Sequence, residues 1–359
     1  MHITFKLNNM KRTCLFLLIL ILVVYLKEGY EKITAEAPTK CIESANLSDL
    51  AQNVTAIPLE TTPHCIIRHA RQVKKDRDHL FLVNQGKLYH FSTSGKFLNQ
   101  ITHSELEYKN NILVSEYVID PIQKQLIVMD GEQNVHYYSY EGNFLGKINI
   151  MENRPWISIK KIAYHDQHIW ATVDRVVPQK GEKCLEQWLY KLDTIFNEVD
   201  AHKITPVDVG RFTLGREVSP EIAVVNEKVY AQSPSHQPEY LLQDTMYLLS
   251  QDKHQITGDY PFILPFRISG RFLISTYYNT NSKDKNYTFC YDLEKKQAYY
   301  IKEGLEDNFY ETGQIQDLQA MDVYSNSFCF YKSGKDVLKA FPNRKESDNP
   351  VLFIVKLKA

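Results

Sequence analysis

One unit of sequence is written twice in this chain. Leu80-Phe81-Leu82-Val83, a turn, Leu88-Tyr89-His90-Phe91 and Ser94-Gly95-Lys96-Phe97-Leu98 form the first copy. Leu126-Ile127-Val128-Met129, a turn, Val135-His136-Tyr137-Tyr138 and Glu141-Gly142-Asn143-Phe144-Leu145 form the second. Gly95 and Gly142 stand about 47 residues apart. Short strands joined by tight turns at that period describe one blade of a β-propeller.

The strand centres continue at similar spacing. Phe81, Ile127, Ile169, Val229, Phe272 and Phe328 each sit in a short apolar run preceded by a polar turn of hairpin type. Six such centres predict an all-β, six-bladed propeller with four-stranded antiparallel blades. An open blade exposes a sheet edge, so the ring must close. The isolated run Val54-Thr55-Ala56-Ile57-Pro58 is expected to complete the last blade beside Val351-Leu352-Phe353-Ile354-Val355. Pro58 restricts that run to an edge or a bulge.

Composition fits. Tyr (23), Phe (17) and Trp (3) favour strands, and 43% hydrophobic residues suffice for a core. The net charge of −1 carries no basic excess, so nucleic acid is not an expected partner.

The first residues have a different character. Lys6, Lys11 and Arg12 precede the apolar run Cys14 to Leu26. That pattern is an export signal or an uncleaved anchor, and both place the body outside the cytoplasm. The expected layout is a signal segment over 1–26, a polar stalk over 27–52 and a propeller over 53–359. The apolar segment is expected to make the membrane a partner.

Outside that run stand Cys41, Cys65, Cys184, Cys290 and Cys329, an odd number that allows two disulfides at most. None has CxxC spacing, so neither metal nor cofactor is expected. Cys290 and Cys329 lie in aromatic strands and read as small buried apolar residues.

Several segments together resemble a known family. They are Ala45-Asn46-Leu47-Ser48-Asp49-Leu50, Ile57-Pro58-Leu59-Glu60-Thr61-Thr62, Cys65-Ile66-Ile67, Ser94-Gly95-Lys96-Phe97, Tyr291-Asp292-Leu293, Gln297-Ala298-Tyr299-Tyr300-Ile301 and Asn349-Pro350-Val351-Leu352. The chain from about residue 41 onward resembles the exported six-bladed propellers of Bacteroides-type bacteria, relatives of the NHL-repeat propellers. The family's Gly-Pro-Gly-Glu-Tyr stretch is replaced here by Ser104-Glu105-Leu106-Glu107-Tyr108. The resemblance implies architecture and compartment and transfers no activity.

Propeller ligands bind at the face built from second-to-third strand loops and blade-to-blade connections. The charged stretch Asp174 to Glu186 supplies Arg175 as a loop residue, and Ser233 to Asp244 supplies His236. Connections add Arg154 and Trp156, Arg211 and Arg216, then Arg267. Converging guanidinium groups suit carboxylate, sulfate or phosphate, and Trp156 or Trp188 would stack on a sugar. His165-Asp166-Gln167-His168 falls in a first-to-second strand turn, on the opposite face, and reads as exposed turn residues. No Gly-x-Ser-x-Gly elbow or Gly-rich phosphate loop occurs. The sequence therefore reads as a monomeric binding module for a glycan, an anionic small molecule or a protein partner. The alternative is a hydrolase or lyase acting on a saccharide or peptide-derived substrate at the channel mouth.

Overall fold

The computed structural model describes residues 40–101, 113–153, 157–179, 182–207, 221–225, 228–232, 262–263, 267–278, 286–292, 295 and 297–358. They fall within a compact unit spanning Ala35–Ala359.

The duplicated unit builds two sheets of identical plan. Sheet 1 runs Arg71–Asp76, His79–Asn84, Lys87–Ser92 and Phe97–Gln100, each strand antiparallel to the one before. Sheet 2 repeats this with Val114–Asp120, Gln125–Asp130, Asn134–Ser139 and Phe144–Asn149. Sheet 3 comprises Ile157–His165, His168–Gln179, Glu182–Leu192 and Glu198–Val207. Sheet 4 contributes Glu221–Val225 and Lys228–Gln232 among the described residues.

Sheet 5 carries an addition. Phe262–Ile263 and Arg267–Ser269 both pair with Phe272–Tyr278, followed by Asn286–Asp292 and Gln297–Ile301. Lys40–Ile42 then joins the outer edge in parallel. Residues 40–50, within the expected stalk, thus contribute strand and a helical turn, Leu47–Leu50, whose Leu47 is fully buried. Sheet 6 runs Gln319–Ala320, Ser327–Lys332, Val351–Leu357 and finally Ala51–Pro58. The expected closing pair is present in register, with Ile57 opposite Leu352 and Pro58 opposite Val351 at the outer edge. A small sheet of Ala45–Asn46, Leu305–Asp307 and Gly313–Ile315 lies apart.

The architecture is all-β, mostly four-stranded antiparallel sheets. The strands are apolar on both faces because both faces are covered. In sheet 1, Leu80 and Leu82 pack toward sheet 6 with Cys329 and Leu352, while Phe81 and Val83 pack toward sheet 2 with Tyr117 and Val128. Sheet 2 in turn sends Val118, Ile127 and Met129 toward Ile159, Ile169 and Val173 of sheet 3. Phe272, Ile274 and Cys290 of sheet 5 meet Phe328, Phe330 and Phe353 of sheet 6. Each fully buried aromatic or aliphatic side chain contributes about 1.5–3 kcal/mol.

The first strands also touch one another. Arg71–Asp76 packs on Val114–Asp120, which packs on Ile157–His165, which packs on Glu221–Val225. Glu221–Val225 packs on Arg267–Ser269, which meets Gln319–Ala320, which returns to Arg71–Asp76.

Cys290 and Cys329 are buried free thiols, as expected from their strand setting, and Cys65 is a third. Burial pushes Cys65 and Cys290 up to about 12, so these thiols stay protonated.

The expected membrane partner is not supported. No helix among the described residues is long and apolar enough to cross a membrane. The apolar run itself lies outside the described residues. Its thirteen residues would span about 20 Å as a helix, short of a hydrocarbon core of about 30 Å.

Candidate ligand-binding face

Each sheet has two ends, one carrying the first-to-second strand turns and the other the second-to-third strand loops and sheet connections.

The floor of the second end is set by a recurring irregularity. The first strands of sheets 1, 2 and 3 each slip register against the second strand, between Arg71 and Lys74, between Val114 and Glu116, and between Ile159 and Lys161. A bulge leaves backbone groups without a ladder partner and re-aims the following side chains. Neighbouring sheets satisfy those groups. Gln72 Nε2 donates to Ser115 O at 2.7 Å. The Gln133 amide accepts from Ile159 N at 2.7 Å and donates to Ile159 O at 3.3 Å. Gln319 Nε2, from sheet 6, donates to Ala70 O at 3.2 Å. Glutamines thus carry three of the crossings between sheets.

The bulges place charge beside these crossings. Lys161 Nζ donates to Glu116 Oε1 at 2.8 Å, joining the first strands of sheets 2 and 3. Lys160 Nζ lies 3.7 Å from Asp174 Oδ2. These pairs are largely withdrawn from water, so removing one partner would strand the other.

Above them stands the long hairpin of sheet 3. Within the stretch expected to be a loop, residues 174–179 and 182–186 are instead ladder, with Arg175 opposite Glu186 and Gln179 opposite Glu182. Val173, Val176 and Val177 explain the difference, since β-branched residues extend the pleated pairing. On one face of this hairpin the Arg175 guanidinium lies 5.7 Å from the Trp188 ring centre. Trp188 Nε1 donates to Glu186 Oε2 at 3.0 Å, and Lys203 Nζ donates to Glu186 Oε1. The Lys203 bond, reinforced by Trp188 and opposed by burial, holds the Glu186 carboxyl below the usual carboxylate range. The indole is thereby fixed by its N–H, with a cation against its ring.

Among the candidate binding residues singled out from sequence, Arg175, Trp188 and Arg267 are described. Arg175 stands on sheet 3, and Arg267 on the first strand of sheet 5, opposite Ile274. Arg154, Trp156, Arg211, Arg216 and His236 lie outside the described residues, as do residues 104–108. Cys41 and Cys184 occupy strands. The sequence reading missed Gln72, Gln133, Glu116, Lys160 and Lys161. Bulges have no residue signature of their own, so only pairing reveals them.

The His165–His168 segment forms the tight turn expected at the opposite end, where His165 pairs with His168 and Asp166 and Gln167 have positive φ. His168 Nδ1 bonds the Asp166 carbonyl at 2.5 Å. Among the described residues no cluster of His, Cys, Asp and Glu has the form of a metal site.

Comparisons with known proteins bear on the fold alone. Residues 31–204 match the model of a domain of unknown function, DUF4934. A crystal structure from Bacteroides fragilis NCTC 9343, of a protein whose description is that of a predicted exported protein, superposes with a TM-score of 0.57 at 15% identity, covering 89% of this chain and 100% of that one. The Cps50 (Swd1) β-propeller domain of Myceliophteria thermophila superposes at a TM-score of 0.39 and 7% identity, over 86% of this chain and 99% of that one, too distant to carry weight. No curated protein sequence matches.

Proposed function

We propose that this chain is an extracytoplasmic six-bladed propeller that binds an anionic or saccharide ligand at the loop end of its channel. The cyclic contact of six first strands, from Arg71–Asp76 round to Gln319–Ala320 and back, supports the ring. The pairing of Ala51–Pro58 with Val351–Leu357 supports its closure, because it joins the two ends of the domain in one blade. Export is supported by the charged-then-apolar start of the chain and by the description of the B. fragilis protein.

The observation that carries the binding reading is the Arg175–Trp188–Glu186–Lys203 group on the sheet 3 hairpin. An indole held by its N–H beside a guanidinium offers stacking and a bidentate anion donor at one place. An array of neutral, uronic and sulfated glycans, with small dicarboxylates, tests this. Arg175→Ala is expected to weaken binding of acidic members at least tenfold while neutral sugars change little. An unaltered binding profile would overturn the reading.

A further inference from the structure

We infer that the segment Met321–Asn326 is a fixed plug that seals the turn end of the channel, making it a one-ended pocket entered only from the loop end. The inference rests on the ring reading above.

The segment joins the first and second strands of sheet 6 and is six residues long. The equivalent turns in sheets 1, 2, 3 and 5 have two to four. Its extra length carries it onto other sheets. Val323 O accepts from Val224 N of sheet 4 at 2.7 Å and from Gly270 N of sheet 5 at 3.2 Å. The Val323 side chain joins Ala163 and Leu189 of sheet 3 and Ile222 of sheet 4. The Tyr324 ring centre lies 6.3 Å from that of His165 on sheet 3. A loop that leaves sheet 6 and reaches sheets 5, 4 and 3, the last lying opposite sheet 6, has to lie across the axis of a ring of six.

Its shape is locked. The Asp322 carboxylate accepts from Tyr324 N at 2.9 Å, Ser325 N at 2.6 Å and Ser269 Oγ at 3.2 Å, and also from Ser325 Oγ. Asn326 Oδ1 accepts from Arg271 N at 2.9 Å. A Cβ on Gly270, whose φ is +54°, would stand 2.1 Å from that oxygen, so the contact demands glycine. Val224 N–H is decisive. Its strand is the innermost of its sheet, and Val323 O fills the place of a ladder partner that an inner edge lacks.

Amide hydrogen exchange on the full chain tests the plug. Val224 and Gly270 are expected to exchange slowly, and Asp322→Ala to speed both at least tenfold while Val128 in sheet 2 is unchanged. Val224 and Gly270 exchanging at the rate of an open turn in the unmodified protein would overturn the plug, even where the variant fails to fold. A crystal structure with some number of sheets other than six would instead overturn the ring reading, leaving the protection of these two amides to stand. Protection absent in a six-sheet ring would overturn the plug alone.

Discussion

Asn349→Ala is the most informative single perturbation of sheet 6. Asn349 is buried just before Val351–Leu357 and clasps the connection that leaves the outer strand Ala51–Pro58. Its side-chain oxygen accepts from Ile67 N at 2.7 Å, and its amide nitrogen donates to Glu60 O at 2.6 Å and Cys65 O at 2.9 Å. Alanine removes all three bonds. Glu60 is exposed, so water can replace the bond to its carbonyl. Ile67 and Cys65 are buried, and their backbone groups would be left unsatisfied. Each such group costs about 1–3 kcal/mol, giving about 2–6 kcal/mol, with about 4 expected. That is a large share of a typical domain stability of about 5–15 kcal/mol. Urea unfolding followed by tryptophan fluorescence reads it as a lower midpoint at constant slope. Asn349→Asp should not rescue, because it keeps the acceptor but turns a carboxylate toward two carbonyls. A loss under about 1 kcal/mol for Asn349→Ala would refute the clasp.

Two further outcomes are expected. Gly95→Ala should cost more than about 2 kcal/mol, since φ there is +87° and the new Cβ would lie 2.1 Å from Pro58 O, a backbone atom that cannot rotate away; a thermal midpoint within a degree of the parent's would contradict it. Burial lowers His90 below the ordinary 6.5, with His79 adding to this against the bond to Asn99. The unfolded chain therefore takes up the proton first, so stability is level above pH 6.5 and falls as pH drops below it. His90→Gln should flatten the loss between pH 6.5 and 5.5, and an unchanged slope would count against the assignment.

Much of the fold was legible because its signals are local. Leu80 to Val83 and Leu126 to Met129 alternate between two buried faces, and tight turns after them specify hairpins whatever lies beyond. That the run around Ile57 lies beside Val351–Val355 was also readable, though not its register, because a lone strand at one end and a spare edge at the other leave one economical pairing. The candidate site was less legible. Arg175 was singled out as a candidate and assigned to a loop, whereas it stands in ladder opposite Glu186, because a run of charged side chains hides the β-branched residues between them. Gln72, Gln133 and Lys161 gave no signal at all, since what matters in them is the neighbouring sheet's backbone.

Taken alone, the sequence determined the period, the strand centres and the strand that closes the last sheet, for each depends on alternation and turn chemistry within a few residues. Only the tertiary structure decided that first-strand bulges in sheets 2 and 3 are bridged by glutamines of the preceding sheet. It alone decided that Lys161 meets Glu116, and that Val323 reaches Val224 and Gly270. These contacts, with that of Gln319 to Ala70, join residues 26 to 249 positions apart, beyond the range of any local propensity. They arise because bulged or edge strands leave backbone groups that must find partners wherever the packed sheets present them.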